Sequence, residues 1–418
     1  MQILHAADLH LDSRPDKKEK ARKSLDQLVE HVQENNIDYI VVPGDVFEEK
    51  QAYEKGSGAD LAYEYFKKLA LHVKAIVIVK GNESHDRTGS ISMLHQISPN
   101  IYSYEYPVIL AFPGDGKGPE DLLRKPNLSE FTSNDFEILI NMMPYPTKSN
   151  IITDTNIDTN NNNFCSLFDK MMDLFGMTNN HFNCPKVLGF HGNVQGARMQ
   201  NGQPVLGQDI IISPHSLMRA NCDYYALGHI HLPQEITANM MYSGSFYNKN
   251  FGEIEQKYFN VVQFTGTGID VKKVPLKAAR PMVNIKTEFK DGRFVLDTAG
   301  IPANAEVKFD YTVSETDRAL VTEDKIDELK NLIGMDAKIV PIVVPVQRES
   351  RSEDIMKANN LTEETVEYGK VVNIEITNSI KKKISVIESG EIEFSELPFQ
   401  HEGRMKDRIA IEEEGVSL

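Results

Sequence analysis

The sequence predicts an α/β fold, a two-sheet sandwich flanked by helices, with a small α+β cap domain and a helical C-terminal segment after it. Over the first hundred residues, apolar runs of strand length alternate with amphipathic helical stretches. That β-α-β-α-β rhythm belongs to a layered domain with parallel strands. Beyond Tyr102, strand-like runs follow one another with few helices between them, which suggests a second sheet packed on the first. Between residues 275 and 281 the composition shifts, and a domain boundary is placed there.

Taken in order, Ile3 to Ala7 is an apolar run that reads as a buried strand and ends in Asp8-Leu9-His10. Residues 14–36 carry Ala21, Leu25, Leu28, Val29 and Val32 at helical spacing, with charges opposite. Ile37 to Pro43 is a second strand, ending in Gly44-Asp45. A helix bearing Leu61, Tyr65, Phe66 and Leu69 on one face follows. Val73 to Val79 is a third strand, ending in Lys80-Gly81-Asn82. Further strands are expected at 136–143, 186–190, 224–227, 240–242, 258–264 and 269–274. Residues 149–163, rich in Asn, Thr and Asp, read as a surface loop or insertion. A β-β-α-β unit follows at 283–289, 306–313, 322–332 and 338–346. Residues 348–354 read as a linker, two mainly helical segments are expected to about residue 385, and an acidic tail begins at Pro398. The expected domains are 1–275, 276–347 and 348–418.

Composition narrows the function classes. The chain has 418 residues, 40% of them hydrophobic and 25% charged, ordinary values for a globular protein of two or three domains. No apolar run approaches the ~20 residues that span a bilayer, and the N-terminus enters a strand directly, so no membrane association and a cytoplasmic location are expected. Three cysteines without paired spacing suggest neither a disulfide framework nor a Cys-rich zinc site. A net charge of −16 argues against generic nucleic-acid binding, although cations held in a site supply positive charge locally. Lys381-Lys382-Lys383 is a local basic run, and a solvated face is its simplest reading.

The chemistry sits at the strand ends. Asp8, His10, Asp45, Asn82 and His85 follow the first three strands, and His191, His229 and His231 follow later ones. If the chain stays extended, alternate residues point the same way, so Asp8 and His10 would converge, and so would His229 and His231. Singly, each has a bland reading: Gly44-Asp45 and Gly81-Asn82 are common turns, and His191 could be a core histidine. Together, two aspartates, an asparagine and five histidines are too many imidazoles for a nucleophilic triad or a phosphate-cradling loop. They suit two divalent first-row cations, for which one carboxylate must bridge.

The succession Asp8-x-His10, Gly44-Asp45, Gly81-Asn82, His191 and Gly228-His229-x-His231 resembles the calcineurin-like metallophosphoesterases. Within them the chain is similar to the SbcD-type DNA-repair nucleases, because residues 242–253 carry Ser243-Gly244-Ser245 and Phe251-Gly252-Glu253. The resemblance covers residues 1–275 well, is looser over 280–346, where the family carries a DNA-binding cap, and is loosest beyond. It implies that Asp8, His10 and His231 hold one metal and Asn82, His191 and His229 the other, with Asp45 bridging and His85 catalytic. It also implies manganese-dependent phosphodiester hydrolysis, as a 3′-to-5′ exonuclease and an endonuclease near DNA ends. The implied partners are an SbcC-type coiled-coil ATPase and a second copy of the chain.

The pattern departs from the family in one loop. The family places its catalytic histidine directly after the asparagine, whereas here Glu83 and Ser84 intervene before His85-Asp86. Either the loop bulges and His85 still reaches the site, which is the favoured reading, or Glu83 takes its place and the chemistry weakens. Glu48 stands where the family often has an Asp. Two other function classes share these residues: a phosphatase or small-molecule phosphodiesterase on the same fold, and a catalytically impaired scaffold protein that binds DNA ends.

Overall fold

The computed structural model describes residues 1–48, 57–125, 127–146, 157–199, 210–295, 301–302, 304–333, 337–344, 358 and 360–389. The linker expected at 348–354 and the tail from Pro398 lie outside them. Two compact units emerge, Met1–Val313 with Asp317–Val343, and Ser314–Thr316 with Val344–Leu418.

Strands are numbered along the chain. The first sheet contains β1 (Gln2–His5), β2 (Tyr39–Pro43), β3 (Ala75–Val79), β4 (Ile101–Tyr104), β14 (Tyr258–Thr265) and β15 (Gly268–Pro275), in the order β15-β14-β1-β2-β3-β4. From β1 to β4 all neighbours are parallel; β14 runs antiparallel to β1, pairing Ile3 with Val262. The second sheet contains β5 (Val108–Phe112), β6 (Glu120–Asp121), β7 (Ile138–Met143), β8 (Lys186–His191), β11 (Tyr224–Gly228), β12 (Gln234–Thr237) and β13 (Met240–Tyr242), in the order β12-β13-β11-β8-β7-β5-β6. β9 (Asn193–Val194) and β10 (Ile211–Ile212) form a short separate ribbon.

The layers follow from which faces are apolar. Buried on both sides, β2 and β3 read as continuous apolar runs rather than alternating ones, and β7 does so apart from the buried Asn141. Ile3, Tyr39, Val41, Val77 and Val79 of the first sheet pack against Leu110, Ile140, Met142, Val187 and Ala226 of the second. On the outer face of the first sheet lie α1 (Pro15–Glu34) and α2 (Gly58–Ala70), which bury the predicted stripes from Ala21 to Val32 and from Leu61 to Leu69. Ser57 caps α2, its side chain accepting from the Asp60 N–H.

The second sheet is covered by α3 (Ile157–Asn179) and the short α4 (Pro214–Met218). Here the sequence reading is corrected: residues 157–163, expected in a loop, form the first turns of a 23-residue helix. Asn-rich composition is a weak local preference. Phe168, Met172 and Phe175 bury the helix further along, and a helix once nucleated propagates cheaply into neighbouring turns. Residues 149–156 lie outside the described set.

A third sheet, in the order β17-β16-β18-β19, comprises β16 (Met282–Lys290), β17 (Arg293–Val295), β18 (Glu306–Ser314) and β19 (Ala337–Val344), with α5 (Glu323–Ile333). β16 and β18 are parallel, and Val307, Phe309 and Leu329 form a small core of their own. In the second unit, α6 (Leu361–Val371) and α7 (Asn378–Ser389) make a helical pair. The Thr362 hydroxyl donates to Glu388 at 2.9 Å. A Cβ on Gly369 would lie 2.5 Å from Ile376, so the glycine lets the chain fold back after α6.

Candidate metal centre

Five parallel strands end on one edge of the sandwich and deliver the candidate donors. β1 leads to Asp8 and His10, β2 to Asp45, β3 to Asn82 and His85, β8 ends in His191, and β11 leads to His229 and His231. The loops after β1 and β2 are laced together: the Asp8 N–H donates to the Gly44 carbonyl at 3.2 Å and the His10 N–H to the Asp45 carbonyl at 3.1 Å. The backbone approaches are close. A Cβ on Gly228 would stand 2.1 Å from the Pro43 carbonyl oxygen, and one on Gly81 would stand 2.1 Å from Asp45 Oδ1.

Convergence is not reached by strand alternation. β1 stops at His5, and Asp8, His10, Asp45 and His229 all have left-handed backbones, with φ of 52°, 46°, 51° and 101°. L-residues avoid that region, and each such residue costs about 1–3 kcal/mol. Four at one spot, locked by the loop hydrogen bonds, aim side chains that an extended chain would direct elsewhere. His229 and His231, expected on one side of an extended segment, instead face different groups.

All eight residues singled out in the sequence meet at this edge. Asp8, His10 and His231 form one donor group, and Asp45, His191 and His229 another. His10 Nε2 and His231 Nε2 are 2.9 Å apart. The Asp45 carboxylate faces both groups, with Oδ1 3.3 Å from His191 Nε2 and Oδ2 3.9 Å from His10 Nε2. Asn82 donates its main-chain N–H to Asp45 Oδ1 at 2.8 Å, and its side-chain oxygen lies 3.1 Å from His191 Nε2. Asp8 accepts the His229 N–H at 2.9 Å. His191 donates from Nδ1 to the Pro43 carbonyl at 2.8 Å, which leaves Nε2 facing Asp45.

In the loop after β3, His85 also faces the site. Its Nδ1 donates to the Glu48 carbonyl at 2.7 Å, and Nε2 lies 4.0 Å from Asp45 Oδ2. Glu83 turns away: its carboxylate binds Lys80 and accepts from the Thr88 main chain and hydroxyl. Asp86 braces the loop, accepting from Phe47 and Gly81 main-chain N–H groups at 3.0 and 2.8 Å.

The electrostatics suit cation binding. Burial lowers His10 to about 4 and His229 to about 3, and takes His231 well below the usual histidine range. Neutral imidazoles are what a metal requires. Burial raises the Asp8 carboxyl to about 7, partly offset by His191. Burial would also raise Asp45, but His191, His10 and His85 outweigh it and hold the carboxyl well below the usual range. His191 answers to Asp45: burial would lower it, and the carboxylate instead raises it to about 9. Buried oxygens, the neutral imidazoles of His10, His229 and His231, and a His191 that must give up its proton first, grouped around one shared carboxylate, fit two divalent cations.

Three further residues bear on the site. Glu48, noted in the sequence only for standing where the family often has an Asp, lies 3.0 Å from His10 Nδ1 and 2.5 Å from Lys249 Nζ. Lys249 lies inside the 242–253 signature segment but was not singled out, since nothing local links it to a residue so much earlier in the chain. Tyr145 was also missed. Its ring packs edge-on to His191 and tilted against His229, with centroids 6.0 and 5.3 Å away.

The sequence pattern of the calcineurin-like phosphoesterases matches residues 1–233. The chain belongs to the calcineurin-like phosphoesterase family. As a calcineurin-like phosphoesterase it is a hydrolase of phosphoesters, and the fold expected from its motifs is the fold observed. The narrower resemblance is borne out too. The chain is 24% identical over 301 residues to SbcD, a component of the nuclease SbcCD, from Staphylococcus epidermidis (strain ATCC 12228 / FDA PCI 1200), covering 70% of this chain and 74% of that protein. It is 23% identical over 378 residues to the SbcD component of the same nuclease from Escherichia coli strain K12, covering 84% and 86%, and matches the O157:H7 protein equally. Among the described residues no helix is long and apolar enough to cross a membrane, and the three cysteines are free.

Proposed function

We propose that the chain is the nuclease component of a DNA-end-processing complex, a manganese-dependent phosphodiesterase that cuts DNA as a 3′-to-5′ exonuclease and an endonuclease near ends. The observation that carries this reading is the Asp45 carboxylate, whose two oxygens face two donor groups at once. Asp8, His10 and His231 would hold one cation, Asn82, His191 and His229 the other, with Asp45 shared. Cations so held would supply the Lewis acidity that phosphodiester hydrolysis by water needs. The chain's own contribution is the rigid frame. His191 is oriented by its bond to Pro43, His10 by Glu48, and His85 by the Glu48 carbonyl. His85, about a quarter exposed beside Asp45, is placed to stabilise charge on the phosphoryl group or give a proton to the leaving oxygen.

The relatives are named nucleases, which supports a nucleic-acid substrate over a small phosphoester; DNA is what the family resemblance adds. They also support an SbcC-type partner; that this partner is a coiled-coil ATPase, and that the complex holds two copies of the nuclease chain, is what the family resemblance implies. The small domain within 276–347 is assigned to DNA contact and the segment from 348 to partner docking. The orientation of Glu83 toward Lys80 and Thr88 speaks against an impaired site.

The test is cleavage of a linear duplex by the purified chain in manganese, magnesium and EDTA. Manganese-dependent digestion is expected, lost in Asp8→Ala. In His85→Ala it should fall by about 10²–10⁴-fold with manganese binding retained. Hydrolysis of nucleotides with duplex ends untouched, in the presence of the ATPase, would instead favour the small-phosphodiester reading.

A further inference from the structure

We propose that Glu253 and Lys257 are positioning residues that hold the Asp8–His10–His231 donor group in shape, an inference that rests on the two-cation reading above. The Lys257 side chain is fully buried. Its ammonium has three partners: Glu253 Oε2 at 3.1 Å, the Glu255 carboxylate, and the main-chain oxygen of His231, to which it donates at 3.1 Å. A buried ammonium must be paired and hydrogen-bonded. Two of the partners supply charge, and the third is the backbone of a candidate ligand. That same carbonyl accepts the Ser245 N–H at 3.1 Å, so the peptide at His231 is held from two sides.

Glu253 acts on the other imidazole. Its Oε2 accepts the Lys249 N–H at 3.2 Å, and Oε1 accepts from the Asn250 side chain at 3.2 Å. These bonds shape the turn from which the Lys249 ammonium reaches Glu48, the carboxylate at His10 Nδ1. One buried pair therefore touches His231 in a single step and His10 through Lys249 and Glu48. Among the described residues, neither side chain bonds to the Asp45–His191–His229 group. The turn has main-chain support besides: Gly252 donates to the Met282 carbonyl at 2.6 Å, and Met282 donates to the Glu253 carbonyl at 2.8 Å. Buried ion pairs are poor net stabilisers, and an apolar replacement of both partners is often neutral. Serving folding alone would be a weak reason for this one.

The experiment is manganese titration of the full chain, followed by calorimetry and by the electron paramagnetic resonance of free manganese, with thermal melts alongside. Wild type, Asp8→Ala, Lys257→Met and the double variant Glu253→Gln/Lys257→Met are compared. Wild type should bind two equivalents. Lys257→Met should keep one at wild-type affinity and bind the other at least about tenfold more weakly, matching the pattern of Asp8→Ala. If Lys257→Met does not melt cooperatively, the double variant, which removes both partners of the pair, decides. A folded variant with two wild-type equivalents overturns the proposal. Equal weakening of both equivalents, or failure of both variants to fold, overturns it as well, because the pair would then be a general structural element. A wild type that takes up no manganese defeats the two-cation reading itself, before any variant is compared.

Discussion

Asp45 is wholly enclosed, yet the imidazoles around it hold its carboxyl ionised, and the Asn82 N–H fixes one of its oxygens. Removing that charge leaves His191 without its partner and both donor groups without their shared oxygen. Asp45→Asn should therefore weaken manganese binding by at least about a hundredfold, read by calorimetry. Retention of two tight equivalents would show that the shared carboxylate is not a ligand. Proton linkage gives a second expectation. His191, raised to about 9, is protonated at neutral pH, and Asp8, at about 7, is partly so. Both must lose protons to bind a cation. Affinity should thus climb as pH rises toward 9, and fall more steeply below 7, where Asp8 protonates too. At pH 7 binding should release more than one proton, measurable as a dependence of binding heat on buffer ionisation enthalpy.

At the level of elements, the strand-to-loop junctions govern how closely the site closes. Gly81 lies where the loop after β3 crosses Asp45, and a methyl there would stand 2.1 Å from the carboxylate oxygen. Gly81→Ala should lower manganese affinity by about 10–100-fold, with far-ultraviolet circular dichroism unchanged. The helices contribute differently. Leu28 of α1 is almost fully enclosed against the first sheet, far from the chemistry in sequence. Leu28→Ala should cost about 2–5 kcal/mol, seen as a lower denaturation midpoint with an unchanged slope.

Across the whole molecule, the metal centre draws on residues from 8 to 231, all within the first unit. Residues 348–418 lie outside that unit. Deleting them should leave two manganese equivalents while abolishing co-elution with a coiled-coil ATPase partner on size exclusion. Co-elution of the truncated chain would move the docking surface elsewhere. On the proposed function, the chain's charge of −16 predicts weak, salt-sensitive DNA binding when it acts alone, read by a filter-binding titration across salt concentrations.

Periodicity was enough for α1, α2 and the strands of the first sheet other than β4, because buried strands and one-sided helices leave clear patterns; the four-residue β4 was not singled out. The seven candidate donors and His85 were legible as candidates as well, since polar residues stop the apolar runs where β1, β2, β3, β8 and β11 end. Helix α3 was misread at its start, where Asn-rich residues adopt the helix that Phe168 and Phe175 anchor further on. What only the tertiary structure decided is direction. The family resemblance already put His229 and His231 in different groups, but strand alternation did not, and the left-handed backbones that set their directions are visible only in the structure. Lys249, Lys257 and Tyr145 enter through contacts between segments far apart in the chain. Local sequence records which residues turn inward; it cannot record which distant residue each one meets there.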